Sequence, residues 1–234
     1  MNRNRLADKG HFIDRSKPLD FTFDGKRYMG FEGDTITSAL MANDVKIISR
    51  SFKYHRPRAT LSMAGHDANP LVQVGDEANV VADTRAIEAG MVVEAQNVSG
   101  SLENDRMQYL DKMGKFLPVG FYYKAFYKPK GAWKRWEPMI RRMAGLGKVD
   151  LKAHHGYFDK QYLWADVCVV GGGPAGLAAA LEAAEASPDI EVVLVEETAH
   201  LGGALSYARF DAAGARADAE RKKLVEAVTA RANI

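Results

Sequence analysis

Apolar and polar positions alternate from Leu19 to Gly30, with Leu19, Phe21 and Phe23 on one face and a break at Asp24-Gly25. Period two fits a half-buried strand, and Asp-Gly suits a two-residue turn that needs positive φ, so this segment predicts a β-hairpin. The period then lengthens. From Gly33 to Asn43, Ile36, Ala39 and Leu40 fall on one helical face behind Asp34 or Thr35 as a cap, with Asn43 closing the helix. Apolar runs at Val45 to Ile48 and at Leu71 to Val74 are strand candidates. A hairpin, a helix and further strands in that order predict a β-grasp domain of the ferredoxin type over residues 1–100.

The periodicity is lost between Ala95 and Gln161, where aromatics gather at Phe121 to Tyr127, Trp133 and Trp136 among turn-forming prolines and glycines. Such area is costly to leave in water, so residues 101–164 read as a connector that packs, with a short amphipathic stretch from Glu137 to Ala144. His154 and His155 read as a solvated pair, because sequence neighbours converge poorly on a metal.

A β-branched run, Val167 to Val170, opens the most informative stretch and predicts a parallel strand buried on both faces. Gly171, Gly173 and Gly176 then fill a G-x-G-x-x-G pattern. Gly171 permits the tight turn, Gly173 lets the backbone approach a pyrophosphate, and Gly176 lets the following helix lie close to the strand. Pro174 is suited to the first helical position, whose amide would be unpaired anyway, and the remaining free amides and the helix dipole face the diphosphate. The predicted pyrophosphate cradle is thus Gly171, Gly172, Gly173, Pro174, Ala175 and Gly176. Leu177, Ala180, Leu181 and Ala184 are the packing face of the helix.

A second strand from Ile190 to Val195 ends at Glu196, about 20 residues past the last glycine, where a carboxylate accepts hydrogen bonds from the adenosine ribose. An acid here favours a free 2′-hydroxyl, hence NAD or FAD over NADP, although Glu197 is its neighbour. Gly202 and Gly203 are a second close-approach pair, in a loop expected to fold back towards the cofactor. The unliganded alternative is a glycine-rich turn that merely packs an α/β domain. Ala212 to Ala232 reads as a surface helix with Leu224, Val225 and Val228 on one side. A third strand is expected to begin at Asn233-Ile234, so residues 165–234 read as a truncated dinucleotide-binding domain. The fold class expected is α+β followed by α/β: a cluster-free β-grasp domain, then the start of a Rossmann-like βαβ domain.

Composition narrows the chemistry. A formal charge of +2 gives no global field for nucleic acid or an anionic membrane. The single cysteine, Cys168, excludes a cysteine-ligated cluster or zinc site within the chain and suits a reducing, cytoplasmic compartment, and no run reaches a membrane span. The most basic stretch runs from Arg50 to Arg58, with Arg50, Lys53, Arg56 and Arg58 interleaved with Phe52, Tyr54 and His55. Such a mixture could grip a phosphate or a nucleobase; the preferred reading is a solvated loop, or one paired with acids of a neighbouring domain.

The strings Arg50-Ser51-Phe52-Lys53-Tyr54-His55-Arg56-Pro57-Arg58, Asn69-Pro70-Leu71-Val72-Gln73-Val74 and Pro118-Val119-Gly120-Phe121-Tyr122-Tyr123-Lys124, followed by the glycine motif, resemble the N-terminal part of the alpha subunits of heterotetrameric sarcosine oxidases. The resemblance implies a subunit of an oxidoreductase that demethylates sarcosine to glycine, passes the one-carbon unit to tetrahydrofolate and reduces oxygen. It implies NAD in this subunit, FAD in the beta subunit, FMN near the alpha–beta interface, zinc in the delta subunit, and beta, gamma and delta partners. It places no catalytic residue here, so the chain is expected to be inactive alone. Alpha subunits of opine or proline dehydrogenase-type complexes share the plan, and a non-catalytic assembly module is the alternative of another class.

Overall fold

Asp24 and Gly25 both adopt positive φ, +47° and +74°, and join β1 (Asp14–Phe23) to β2 (Lys26–Glu32) with Phe21 opposite Tyr28 and Phe23 opposite Lys26. The hairpin is the one its alternation predicts. In this computed structural model, residues 4–6, 10, 12–116, 119–120, 126, 128–144, 152, 159–208 and 215–234 are described, and the chain divides into two compact units, Met1–His154 and His155–Ile234.

In the first unit a five-stranded sheet has the order β2-β1-β7-β5-β6. Strands β5 (Leu71–Val74) and β6 (Glu77–Val81) form a hairpin, and β7 (Val92–Ala95) runs parallel to β1 and antiparallel to β5. Helix α1 (Ile36–Ala42) covers one face of the sheet. Phe21, Phe23, Ile36, Leu40, Ile48, Val72 and Val93 lie in the core at 2% exposure or less. Burial on this scale is the main term holding the unit together. Thr35 caps α1 by accepting from the Ser38 amide at 3.2 Å, and the Ser38 hydroxyl accepts from the Thr35 amide at 2.9 Å. Asp34, fully buried, is held by both ends of the Arg5 guanidinium at 3.0 and 2.7 Å.

Strand β3 (Ile47–Arg50) begins two residues later than the apolar run suggests, because Val45 still belongs to the helix exit: Asp44 takes φ +62° and the Val45 amide bonds Leu40 O at 3.0 Å. It pairs with β4 (Pro57–Ala59) as a separate two-stranded sheet. Helix α2 (Trp133–Ala144) starts ahead of the expected Glu137, and Trp136 packs its ring on Phe126 at 4.9 Å between centroids. Most of the aromatic string Phe121 to Tyr127, and both His154 and His155, lie outside the described residues.

The second unit pairs β8 (Val167–Val170) with β9 (Val192–Val195) in parallel, Val167 opposite Val192 and Val170 opposite Val195, across helix α3 (Pro174–Ala186). Leu177, Ala180 and Ala184 are buried on the sheet side of α3 as expected, while Leu181 is half-buried. Strand β8 departs from its expected burial on both faces. Val167 and Val169 pack towards α3, whereas Val170 is 81% exposed and Cys168 is exposed as well. A single helical layer shields only one face of a sheet. Helix α4 (Ala215–Thr229) contributes Ala217 and Val228 to the interior, with Leu224 and Val225 half-buried. At Asn233, where a third strand is expected to begin, the backbone carbonyl accepts from the Val192 amide at 2.9 Å and the side-chain amide donates to Ile190 O at 3.0 Å. Among the described residues no helix is long and apolar enough to cross a membrane.

Candidate dinucleotide site

Each glycine after β8 meets a different constraint. Gly171 has φ +99°, a conformation L side chains rarely adopt, and its amide is tied to Val195 O at 2.7 Å, so the chain turns sharply off the strand end. At Gly176 a Cβ would stand 1.8 Å from the carbonyl oxygen of Gly171, which accounts for the close approach of α3 to the turn. At Gly173 a Cβ would meet nothing within 4 Å. The backbone there borders open space, which fits a diphosphate that must touch the chain. Gly173 is the N-cap of α3 and Pro174 its first residue, so the unpaired amides are those of Gly173, Ala175 and Gly176. Such amides and the positive end of a helix favour an anion placed before them.

Gly172 is the buried residue of the turn and ties it to the loop after β9. Its amide donates to Glu196 Oε2 at 2.5 Å and its carbonyl accepts from the Gly202 amide at 2.7 Å. A Cβ on Gly172 would lie 2.4 Å from Leu201 Cδ2 and 3.0 Å from Glu196 Oε2, and one on Gly203 would lie 2.8 Å from Gly173 Cα. Gly202, at φ +113°, leaves room for the Arg221 stem, which a Cβ would meet at 2.4 Å. Gly171 to Gly176, Glu196, Gly202 and Gly203 therefore come together in one place.

Glu196, rather than Glu197, bonds the turn. Its Oε1 accepts from the Thr198 hydroxyl at 2.7 Å and the Thr198 amide at 2.9 Å. The Thr198 hydroxyl first, then the Thr198 and Gly172 amides, hold this carboxyl below its usual range. A carboxylate has about four acceptor positions, so Oε2 keeps one for a ribose hydroxyl. Thr198 was not singled out by sequence; its signal is the short Glu-x-Thr spacing at a strand end, a common local side-chain-to-backbone pattern. The residues present fit the adenosine diphosphate half of a dinucleotide.

The Arg50 to Arg58 string is turned partly inward: Arg50 and His55 are buried, whereas Phe52, Arg56 and Pro57 are exposed. Arg50, 3% exposed, donates from Nε to Leu102 O at 2.9 Å and from Nη1 to His55 O at 2.7 Å. His55 Nδ1 meets buried Asp105 at 3.0 Å, and Asp105 also accepts from the amides of Ser99 and Met107. Arg58 bonds Asn69 Oδ1, and Arg56 lies over Tyr54 at 4.7 Å and pairs with Asp111 at 2.5 Å. The string is thus only in part a solvated loop: through Arg50, His55 and Arg56 it anchors the segment from Ser99 to Asp111. Asp105, the acid that organises it, was not anticipated, because only the fold brings it 50 residues back to His55.

Residues 16–98 match the family described as 2Fe-2S iron-sulfur cluster binding domain, and residues 166–230 match that described as FAD dependent oxidoreductase. The first match contains no cysteine, since Cys168 is the chain's one cysteine, so the residues present do not fit a cysteine-held cluster. The chain is 42% identical over 210 residues to "Sarcosine oxidase subunit alpha" of Rhizobium meliloti (strain 1021), covering 88% of this chain and 21% of that one. It is 30% identical over 208 residues to the protein of the same name from Corynebacterium sp. (strain P-1), covering 89% and 17%. The chain therefore spans about a fifth of the length of these curated relatives. The crystal structure of L-proline dehydrogenase from P. horikoshii shares the fold, with 21% identity and a TM-score of 0.51, over 98% of this chain and 33% of that one. The chain is a homologue of the N-terminal part of sarcosine oxidase alpha subunits, a cluster-free ferredoxin-like domain followed by the start of a Rossmann-like one.

Proposed function

We propose that residues 165–234 bind an adenine dinucleotide, NAD, as part of the alpha subunit of a heteromeric sarcosine oxidase. The observation that carries this reading is the bond from the Gly172 amide to Glu196 Oε2 at 2.5 Å, which sets a ribose acid beside an open, amide-lined turn. Gly173, Ala175 and Gly176 would hold the pyrophosphate, Glu196 the ribose, and Gly202 and Gly203 would close the loop over it. In this reading the whole enzyme oxidatively demethylates sarcosine to glycine with tetrahydrofolate and oxygen, and FAD, FMN and the beta, gamma and delta subunits lie outside this chain. A cytoplasmic setting belongs with it, in keeping with a lone cysteine. No group in this chain is assigned to amine oxidation, so sarcosine turnover is not expected without the partners.

A second reading has a specific observation in its favour: residues 166–230 match FAD dependent oxidoreductases, and FAD presents the same adenosine diphosphate to the turn. Thermal unfolding with NAD, FAD or NADP separates the two. At 100 times its dissociation constant the true ligand stabilises the fold by about 2.7 kcal/mol. NADP should give no shift, because its 2′-phosphate would face Glu196. A shift with FAD alone assigns the site to flavin, and no shift with either NAD or FAD overturns the dinucleotide reading.

A further inference from the structure

A groove of about 660 Å³ opens beside the Arg50 to Arg58 string, lined among others by His55, Arg56, Arg106, Gln108, Tyr109 and Lys112. Its size falls within the range of small-molecule sites, about 300–1,000 Å³. Every lining residue but Pro57 carries a polar or charged group. The charges do not cancel. Arg50, Arg56, Arg106 and Lys112 face two carboxylates, and both of those are engaged: Asp105 by His55 and backbone amides, Asp111 by Arg56. Arg106 and Lys112 are exposed, and among the described residues their side chains make no hydrogen bond or ion pair. His55, 4% exposed, stands in the same wall: Asp105 fixes its Nδ1, and its buried Nε2 has no hydrogen-bond partner among the described residues. Buried polar atoms are rarely left so.

We infer that this groove binds the phosphoryl group of a small phosphorylated ligand. Arg106 offers a planar fork for two phosphoryl oxygens and Lys112 a point charge, the pairing that phosphate recognition uses. Tyr109, half exposed in the same wall, gives a ring on which a nucleobase can lie. The inference is independent of the dinucleotide reading, since its residues all precede the glycine motif.

The test is a backbone-amide NMR titration of the whole chain at low salt, with inorganic phosphate in one arm and AMP in the other. Both arms should shift the amides of Asn104 to Lys112. Equal affinities would assign the site to a phosphoryl group alone, and tighter AMP binding with a Tyr109 ring shift would assign it to a mononucleotide. AMP shifts at Gly171 to Gly176 report the other site and are read separately. The double variant Arg106→Glu, Lys112→Glu, at two exposed positions, should weaken the response at 104–112 about tenfold or more while leaving the remaining spectrum unchanged. No shift at 104–112 up to roughly 10 mM of either probe, a regime of negligible affinity, overturns the proposal, as does a response the double variant leaves intact.

Discussion

The glycines of the turn differ in what a side chain would cost. Gly176→Ala puts a methyl 1.8 Å from a backbone oxygen that has nowhere to go, so the turn and α3 must separate. It should destabilise the second unit by about 1–3 kcal/mol, read from denaturant unfolding, because overpacking strains a close contact. Glu196 makes a claim about pH. Its carboxyl sits below the ordinary 4.5 because Thr198 and Gly172 bond the charged form, so the stabilisation is complete above that value and is lost as pH falls through the lowered one. A carbon-detected titration should place its midpoint below 4.5, and Thr198→Val should move it upward; an unmoved midpoint would show that Thr198 is not the cause. Arg50 is the third case. Its fork satisfies carbonyls of Leu102 and His55 in a buried site, so Arg50→Lys should lose about 2–4 kcal/mol, scarcely less than Arg50→Ala, since an ammonium cannot span both. The glycine positions were legible in sequence because each answers a local need. Asp105 and Thr198 were not, because their roles exist only once the chain has folded.

Elements that carry their own signal were the ones read correctly. The hairpin followed from strict alternation around Asp24-Gly25, β5 from an apolar run, and α3 from a helix start with proline in its first position. Strand β7 was missed although it is central to the sheet. It has four residues, one of them Glu94, and is a strand only because β1 and β5 supply partners on either side. Strand β4 was missed for the same reason, with Pro57 at its start. The two sheets should differ in persistence. Strands β1, β5 and β7 share a core of fully buried side chains, whereas β8 and β9 form a two-stranded sheet covered on one face, an arrangement of marginal stability by itself. Hydrogen exchange should find amides of β1 and β7 protected longer than those of β8 and β9, and dinucleotide binding should slow exchange at β8, at β9 and in the turn. Equal protection without ligand would mean that the exposed face at Val170 is not a weak point.

The near-neutral charge of the chain conceals a strong asymmetry. Residues 1–154 carry 25 basic and 18 acidic side chains, while 155–234 carry 7 and 12, so the two units have opposite sign. The first hundred residues are balanced, with 13 of each, and the excess lies in 101–154, the segment that supplies Arg106 and Lys112 to the groove. Global charge therefore hid what a count by segment shows. The asymmetry separates two ways of binding an anion. In the groove, exposed cations act through a field that salt screens within about 8 Å at physiological ionic strength. At the glycine turn, in an acid-rich unit, the proposed diphosphate would be held by short contacts to backbone amides and by a helix end, with hydrogen bonds that need contact more than field. Raising salt from about 50 to 500 mM should thus weaken phosphate binding at the groove roughly tenfold, as expected when exposed charges dominate. The same change should alter NAD affinity less than about threefold. Titrations of both ligands across that range decide it. Parallel losses would mean that both sites bind through the same diffuse field, and the amide cradle would no longer explain the dinucleotide.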